Sequence, residues 1–384
     1  MDLLSNLALG MSVALSWDNL LFCLIGTLLG TLIGVLPGVG PVATIAMLLP
    51  VTYTLTPTGA LIMLSGIYYG AQYGGSTTAI LVNIPGETSS VVTCLDGHPM
   101  AQQGRAGPAL AIAALGSFFA GCVATIVIVL VATPLVALAM AFGPAEYFSL
   151  MILGLVLTVV LARGSPLKAI AMILFGVLLS LVGTDVHTGD ERLTYGIPLL
   201  AGGLSFVPLA MGIFGLSEII SNLEKGAGQP KVKLADRISG LMPTWVDLKA
   251  SAPAVLRGTG LGVILGVLPG ASSAISSFAS YALEKKIAKD PSRFGKGAIE
   301  GVAGPESANN AGAQTSFIPM LTLGIPANSV MALMIGAMMI QGIQPGPMFM
   351  TAKPDLFWAV IASMWIGNAM LVVINLPLIG IWVR

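Results

Sequence analysis

Apolar stretches of about 20 residues, the length that crosses the hydrocarbon core of a bilayer as a helix, recur from Leu20 almost to the last residue. No charged domain separates them. Of the 384 residues, 55% are hydrophobic and 9% charged, a balance that would leave large apolar patches on a water-soluble domain of this length. The sequence therefore predicts an all-α, polytopic membrane protein in contact with lipid, whose function lies within the membrane or at its edge.

Several classes of function find no support in the charged and reactive residues. Seventeen Lys and Arg balance seventeen Asp and Glu, so no nucleic-acid partner is predicted. Cys23, Cys94 and Cys122 are odd in number and far apart, which indicates neither disulfides nor a zinc site. His98 and His187 fall in predicted loops, and no zinc-protease, serine-hydrolase or nucleotide-binding motif occurs. We therefore predict no enzyme, no metal centre and no cofactor.

A glycine-rich segment occurs twice. GTLLGTLIGVLPG at 26–38 and GTGLGVILGVLPG at 258–270 share nine of thirteen positions. Both copies carry glycine at every fourth position, so one helix face lacks side chains and another backbone can pack closely against it. Small residues at this spacing are common in membrane helices, so helix packing alone would explain the glycines. The residues that follow them indicate more.

Each glycine segment ends in Leu-Pro-Gly, and each half contains a second proline triplet farther on. Gly70-Ala71-Gln72 precedes Ile84-Pro85-Gly86, and Gly312-Ala313-Gln314 precedes Ile325-Pro326-Ala327. Proline lacks the N–H that a helix interior needs, so we predict helix breaks at four prolines: Pro37, Pro85, Pro269 and Pro326. Backbone groups freed at membrane depth must line an enclosed or watery cavity. Paired broken helices are typical of transporter binding sites.

Positive charges predict the orientation of the chain, because Lys and Arg are enriched in cytoplasmic loops. We place residues 1–17 outside, followed by a re-entrant hairpin at 18–55, crossings at 59–83, 108–131, 144–162, 165–183 and 197–223, and a second hairpin at 250–284. Fourteen of the seventeen basic residues then lie inside. Five crossings separate the hairpins, so the two halves have opposite orientation. This predicts two inverted-topology repeats with re-entrant or broken helices at the midplane, over residues 17–131 and 249–384, joined by connecting helices at 143–225.

The polar residues of this apolar chain cluster beside the predicted breaks and are almost all neutral. Free N–H groups at half-helix N-termini near Gly40 and Ala271 would suit a carboxylate substrate. We predict substrate binding by Gly38, Gly40, Gln72, Ser76, Thr77, Asn83, Gly270, Ser272, Ser273, Asn309, Asn310, Gln314, Thr315 and Asn328. Glu87 and Glu306 are candidates for binding a coupling ion, since a carboxyl at membrane depth is commonly functional. Alternatively, the Ser, Thr and Asn side chains only join helices, and the two carboxyls lie solvated at the interface.

Three long blocks resemble the large membrane subunit of the tripartite tricarboxylate transporters, the TctA family. They are GVLPGVGPVATIAMLLP at 34–50, the segment from IYYGAQYGGSTTAILVNIPGETS to GRAGPAL at 67–110, and the segment from GPESANNAGAQTSFIP to GIQPGP at 304–347. The resemblance implies a secondary transporter of the bacterial inner membrane, driven by a Na⁺ or H⁺ gradient. It also implies a citrate-like carboxylate substrate, a small TctB-like membrane subunit and a TctC-like periplasmic solute-binding protein.

One departure concerns length. The family's large subunit is longer, and the second half here has no counterpart of the helices at 144–183, so we expect a truncated second repeat. Two alternatives to a carrier stay open from the sequence: an anion channel, and a membrane scaffold that transports nothing. A carrier shows saturable accumulation of its solute that is driven by a gradient. A channel only equilibrates the solute across the membrane, and a scaffold moves none.

Overall fold

The computed structural model describes residues 3–36, 40–161, 165–185, 190–204, 208–209, 211–225, 242–268 and 273–382. Seven residues singled out in the sequence lie outside these ranges: Pro37, Gly38, His187, Pro269, Gly270, Ala271 and Ser272. Within them the chain is almost entirely helical, and the strands described are the two-residue β1 (Gly183–Thr184) and β2 (Glu191–Arg192), which pair antiparallel.

Helices of the first half are α1 (Leu3–Ala14), α2 (Trp17–Val35), α3 (Pro41–Thr52), α4 (Pro57–Val82), α5 (Thr93–Gln102) and α6 (Ala106–Met140). Next come α7 (Pro144–Leu161), α8 (Pro166–Ser180), α9 (Pro198–Ala201) and α10 (Ser217–Lys225). The remaining helices are α11 (Trp245–Gly266), α12 (Ser273–Ile287), α13 (Glu300–Thr315), α14 (Phe317–Leu323), α15 (Ser329–Ile340), α16 (Pro347–Ala352) and α17 (Pro354–Trp382). Short 3₁₀ helices occupy Thr88–Val91 and Pro291–Arg293.

Three helices of the described part are long and apolar enough to cross a membrane. They are α2, α6 and the segment Pro354–Pro377 of α17. Together with the helical content, they confirm an all-α membrane protein. The inverted orientation of the halves and the domain limits stay predictions.

Several predicted boundaries differ from the structure. Helices α7 and α8 agree with the predicted crossings to within a few residues, but α6 continues nine residues past the predicted end. The predicted crossing at 197–223 is not one helix, because α9, a π-helical turn at Met211–Leu216 and α10 share that stretch. Residues before 17, predicted as an external segment, include α1, whose Gly10 packs against the backbone of Trp358 in α17.

The prediction for His98 was wrong. It was assigned to a loop, but it lies on α5 and is buried, with Nδ1 3.1 Å from the Ile80 carbonyl oxygen and Nε2 3.0 Å from the Gln102 amide nitrogen. Both ring nitrogens therefore have structural partners.

The predicted close packing of the glycine faces is confirmed in both halves. Helix α2 packs along α4, and α11 packs along α13. A Cβ at Gly30 would lie 2.5 Å from the Ile67 carbonyl oxygen, and one at Gly262 would overlap the Ala308 carbonyl oxygen in the same way. Backbone thus meets backbone along each pair, and a side chain at these positions would push the helices apart.

The two Ile-Pro segments break the chain in the same way. Helix α4 ends at Asn83 with φ 57°, and α14 ends at Gly324 with φ 72°, both in the left-handed region. Five residues later a new helix starts in each half, after Glu87 in one and after Asn328 in the other. Pro85 and Pro326, two of the predicted break positions, each lie between these helices.

Candidate functional site

The helices that follow the Leu-Pro-Gly segments each reach into the opposite half of the chain. Helix α3 of the first half packs against α15, which begins after the second Ile-Pro break. Helix α12 of the second half packs against the 3₁₀ helix Thr88–Val91, which begins after the first Ile-Pro break. This crossed arrangement brings both breaks towards α4 and α13, and the buried polar residues lie on these two helices.

Glu306 lies at the centre of this region and is fully buried on α13. Ser76 of α4 donates a hydrogen bond of 2.5 Å to its Oε2, and the hydroxyl of Thr93, on α5, donates to its Oε1. Hydroxyl groups from two first-half helices therefore hold a carboxyl group of the second half.

Glu87 forms a second carboxyl centre beside the first. The Ser89 hydroxyl lies 2.5 Å from Glu87 Oε1 and 3.0 Å from Gln72 Oε1, within hydrogen-bonding distance of both. Asn309 of α13 also lies against the Glu87 carboxyl, and Glu306 is within electrostatic range of it. The side chain of Asn309 is fully buried, and neither its oxygen nor its nitrogen makes a hydrogen bond of good geometry within the described residues.

A small cavity lies beside Ser76, the residue that donates to Glu306. It encloses about 20 Å³ and is lined by Tyr73, Ser76, Thr77, Ser117 and Asn375 together with three apolar residues of α6. That volume holds one water molecule. Asn310 closes this region by donating a 2.6 Å hydrogen bond to Ser117.

A third polar group surrounds the hydroxyl of Tyr68, on α4. Asn328 donates to this hydroxyl over 3.2 Å, while its own Oδ1 accepts the Met331 N–H at the start of α15. Ser273, at the start of α12, and Ser316 lie beside the same hydroxyl. Tyr68 thus joins the second-half break to the helix that follows the second Leu-Pro-Gly segment.

Most of the predicted site residues in the described ranges gather here, and four do not. Gln314 lies two turns beyond Glu306, where it accepts a 2.7 Å hydrogen bond from Thr125 and adjoins Asn368. Thr315 donates to helix carbonyls, including that of Gly262, and so belongs to the glycine packing. Asn83 is exposed at the end of α4, and Gly40 is the buried N-terminal cap of α3. Their roles in binding stay predictions, as do those of Gly38, Gly270 and Ser272.

Sequence reasoning missed Tyr68, Thr93 and Ser117. Tyr68 lies in an apolar run that reads as ordinary core, and Ser117 lies inside the long apolar helix α6. Thr93 comes one helical turn after the polar residues that follow Pro85, which was the available signal for it.

The carboxyl groups of Glu87 and Glu306 lie in polar surroundings without a basic ion-pair partner in the part of the chain that the structure describes. Four ion pairs occur among the described residues, and none includes Glu87 or Glu306. Within the same part of the chain, no group of three or more His, Cys, Asp or Glu could hold a metal ion. The two carboxyls are surrounded by hydroxyl and amide groups instead.

Comparison with known proteins identifies the family of this chain. The model of the tripartite tricarboxylate transporter TctA family matches residues 20–384. The chain belongs to the TctA family. TctA proteins are components of tripartite transport systems, so this chain is a membrane protein of a transporter family rather than of an enzyme family.

Two relatives come from Agrobacterium vitis. Over 385 aligned residues, this TctA chain is 59% identical to an uncharacterized 52.8 kDa protein in the TAR-I ttuC' 3'region. The alignment covers 100% of this chain and 76% of that protein. It is 67% identical over 123 residues to an uncharacterized protein in the TAR-II ttuC' 3'region. This alignment covers 32% of this chain and 51% of the relative. No solved structure matches the chain.

Proposed function

We propose that this chain is the large permease subunit of a tripartite secondary transporter that takes up a citrate-like tricarboxylate or related carboxylate. A periplasmic binding protein delivers the substrate, a small membrane subunit completes the complex in the bacterial inner membrane, and a Na⁺ or H⁺ gradient drives uptake. Membership of the TctA family supports the tripartite assembly.

The crossed packing of the two halves is the observation that carries this proposal. The helix after each glycine segment contacts the segment after the other half's Ile-Pro break, and the polar residues lie between them. Two related units that enclose one polar site suit alternating access, in which each unit in turn opens the site to its own side.

The chemistry of the site supports a carboxylate. Serine, threonine, asparagine and tyrosine groups can donate hydrogen bonds to an anion, and the N-terminus of α12 adds a partial positive charge beside Ser273. No lysine or arginine contributes an ion pair here among the described residues. The substrate charge would therefore be balanced by a cation that enters with it.

Uptake of labelled carboxylates tests the proposal. Cells that express the chain with its two partner subunits would receive citrate and a panel of di- and tricarboxylates under an imposed Na⁺ or H⁺ gradient. We expect saturable accumulation that needs the gradient and decreases at least tenfold in Asn310→Ala. Gradient-independent equilibration would identify a channel, and no movement of any carboxylate would contradict the transport function.

A further inference from the structure

Oxygen atoms from three parts of the chain converge on Glu87. Besides its own carboxylate, the Ser89 hydroxyl and the Gln72 side-chain oxygen lie within a few ångströms, linked by contacts of 2.5 and 3.0 Å. Gln72 lies on α4, and Ser89 in the 3₁₀ helix after the break. The group therefore joins the two ends of the first Ile-Pro break.

Asn309 completes the group from the opposite half. Its side chain is fully buried within polar-contact range of the Glu87 carboxyl, but neither of its polar atoms makes a hydrogen bond of good geometry. A buried amide without partners costs about 1–3 kcal/mol for each unsatisfied group. Such a residue is retained most readily where a ligand supplies the missing contact.

The charge of the group points to a cation. Glu87 has no ion-pair partner among the described residues, and the second carboxyl, Glu306, lies within electrostatic range. Two neighbouring carboxylates without a counter-ion are unfavourable in a low-dielectric interior. A bound cation would remove this cost and would also lower the repulsion of an anionic substrate.

The kinds of ligand narrow the class of cation. Carboxylate, amide and hydroxyl oxygens favour hard ions, whereas zinc and copper favour the nitrogen and sulfur ligands of His and Cys. Ca²⁺ needs six to eight oxygen ligands, typically with several carboxylates, and Mg²⁺ keeps several waters in an octahedral shell. A single carboxylate with three neutral oxygens suits an alkali ion, and broken helices are where transporters coordinate Na⁺.

We propose that Glu87, Gln72, Ser89 and Asn309 form a binding site for one Na⁺ ion. The binding site itself does not depend on the proposed transport function. Only the use of the bound ion to drive uptake rests on that function. Because its ligands come from α4, the first break and α13, the ion would join the two halves of the chain while it is bound. Substrate would then bind more tightly in the presence of Na⁺, and Na⁺ more tightly in the presence of substrate, by the same factor.

Binding of ²²Na⁺ to the purified chain in detergent, with no carboxylate present, tests this site directly. We expect saturable binding that non-radioactive Na⁺ displaces and choline does not. Glu87→Gln and Asn309→Ala should each weaken the affinity for Na⁺ at least tenfold. Glu224→Gln is the matched control, because it removes an exposed carboxylate far along the chain, and its affinity should equal that of the unmodified protein.

Three results would overturn the site. They are the absence of saturable ²²Na⁺ binding to the monodisperse protein at pH 6 and at pH 8, unchanged affinity in Glu87→Gln, and displacement of Na⁺ by equimolar K⁺. Melting temperatures in choline chloride identify variants that fail to fold, and Ser89→Ala replaces any such variant. Uptake measured separately distinguishes the two proposals, since carboxylate uptake without Na⁺ binding overturns only the site, and Na⁺ binding without uptake overturns only the transport function.

Discussion

Glu87 and Asn328 occupy equivalent positions in the two halves of the chain. Each is the fourth residue after a left-handed helix end, each follows an Ile-Pro pair and one small residue, and each begins the next helix. The backbone arrangement is shared, but one side chain is a carboxylate and the other a neutral amide. Under the two proposals above, the first break would bind a cation and the second would bind the carboxylate through Asn328 and Tyr68.

Opposite orientation of the halves predicts opposite labelling of two loops. Thr54, after α3, and Lys289, after α12, are both exposed. In a background with Cys23, Cys94 and Cys122 replaced by alanine, Thr54→Cys should react with a membrane-impermeant maleimide from the periplasmic side. Lys289→Cys should react only after the membrane is permeabilised. Labelling of both positions from the same side would contradict the inverted repeat.

Two neighbouring glycines of α11 should respond differently to alanine. A Cβ at Gly262 would overlap the Ala308 carbonyl, so Gly262→Ala should destabilise the protein by about 1–3 kcal/mol. At Gly260 nothing lies within 4 Å, and Gly260→Ala should be neutral or stabilising by up to about 1 kcal/mol. Thermal unfolding in detergent compares them. Equal stability of the two variants would mean that the backbone contact does not control the packing of α11.

Asp96 should be a major contributor to stability. Its Oδ1 accepts the N–H groups of Gly295, Gly297 and Ala298 over 2.8–2.9 Å, and the Tyr281 hydroxyl donates to its Oδ2 over 2.9 Å. Asp96→Ala removes all four hydrogen bonds and leaves the buried N–H of Ala298 without its acceptor. Hydrogen bonds to charged groups contribute about 1.5–3 kcal/mol each, so we expect a loss of at least about 3 kcal/mol in the free energy of unfolding. The control is Asp290→Ala, which removes an exposed cap of the nearby 3₁₀ helix and should change stability much less.

Substitutions at Asn83 distinguish a role of this residue in the backbone conformation from a role in substrate binding. Its φ of 57° favours glycine, and its counterpart in the second half is a glycine. Asn83→Ala should therefore lose about 1 kcal/mol of stability from the strained conformation, while Asn83→Gly should not. If carboxylate uptake decreases in Asn83→Gly although the melting temperature is unchanged, the side chain binds substrate. If uptake is unchanged, Asn83 only terminates α4.

The fold was predictable where a backbone rule applied. Glycine at four-residue spacing indicated the close α2–α4 and α11–α13 pairs, and the proline triplets indicated the breaks, because both depend on the backbone chemistry of single residues. The stretch at 197–223 was predicted wrongly because hydropathy alone does not distinguish one spanning helix from several short ones. His98 was misplaced because a polar residue beside glycine and proline reads as a loop.

The site was predictable only in part. Polar residues next to the breaks identified Ser76, Gln72, Glu87 and Glu306, but their grouping depends on contacts across more than 200 residues of chain, such as that between Ser76 and Glu306. Sequence order carries no information on which side chains meet over that separation. Tyr68 was missed for a related reason, since an aromatic residue in an apolar helix is usually part of the core.

The glycine contacts also restrict how this protein can move. Where carbonyl oxygens of α4 rest against glycines of α2, sliding by one residue would force a side chain such as Leu29 or Thr31 into the space that a hydrogen atom now occupies. The α2–α4 pair and the α11–α13 pair must therefore each move as one rigid body. Motion of one pair relative to the other would break the hydrogen bond from Ser76 on α4 to Glu306 on α13, so the hydrogen bonding of this one carboxyl group would report the relative position of the two halves.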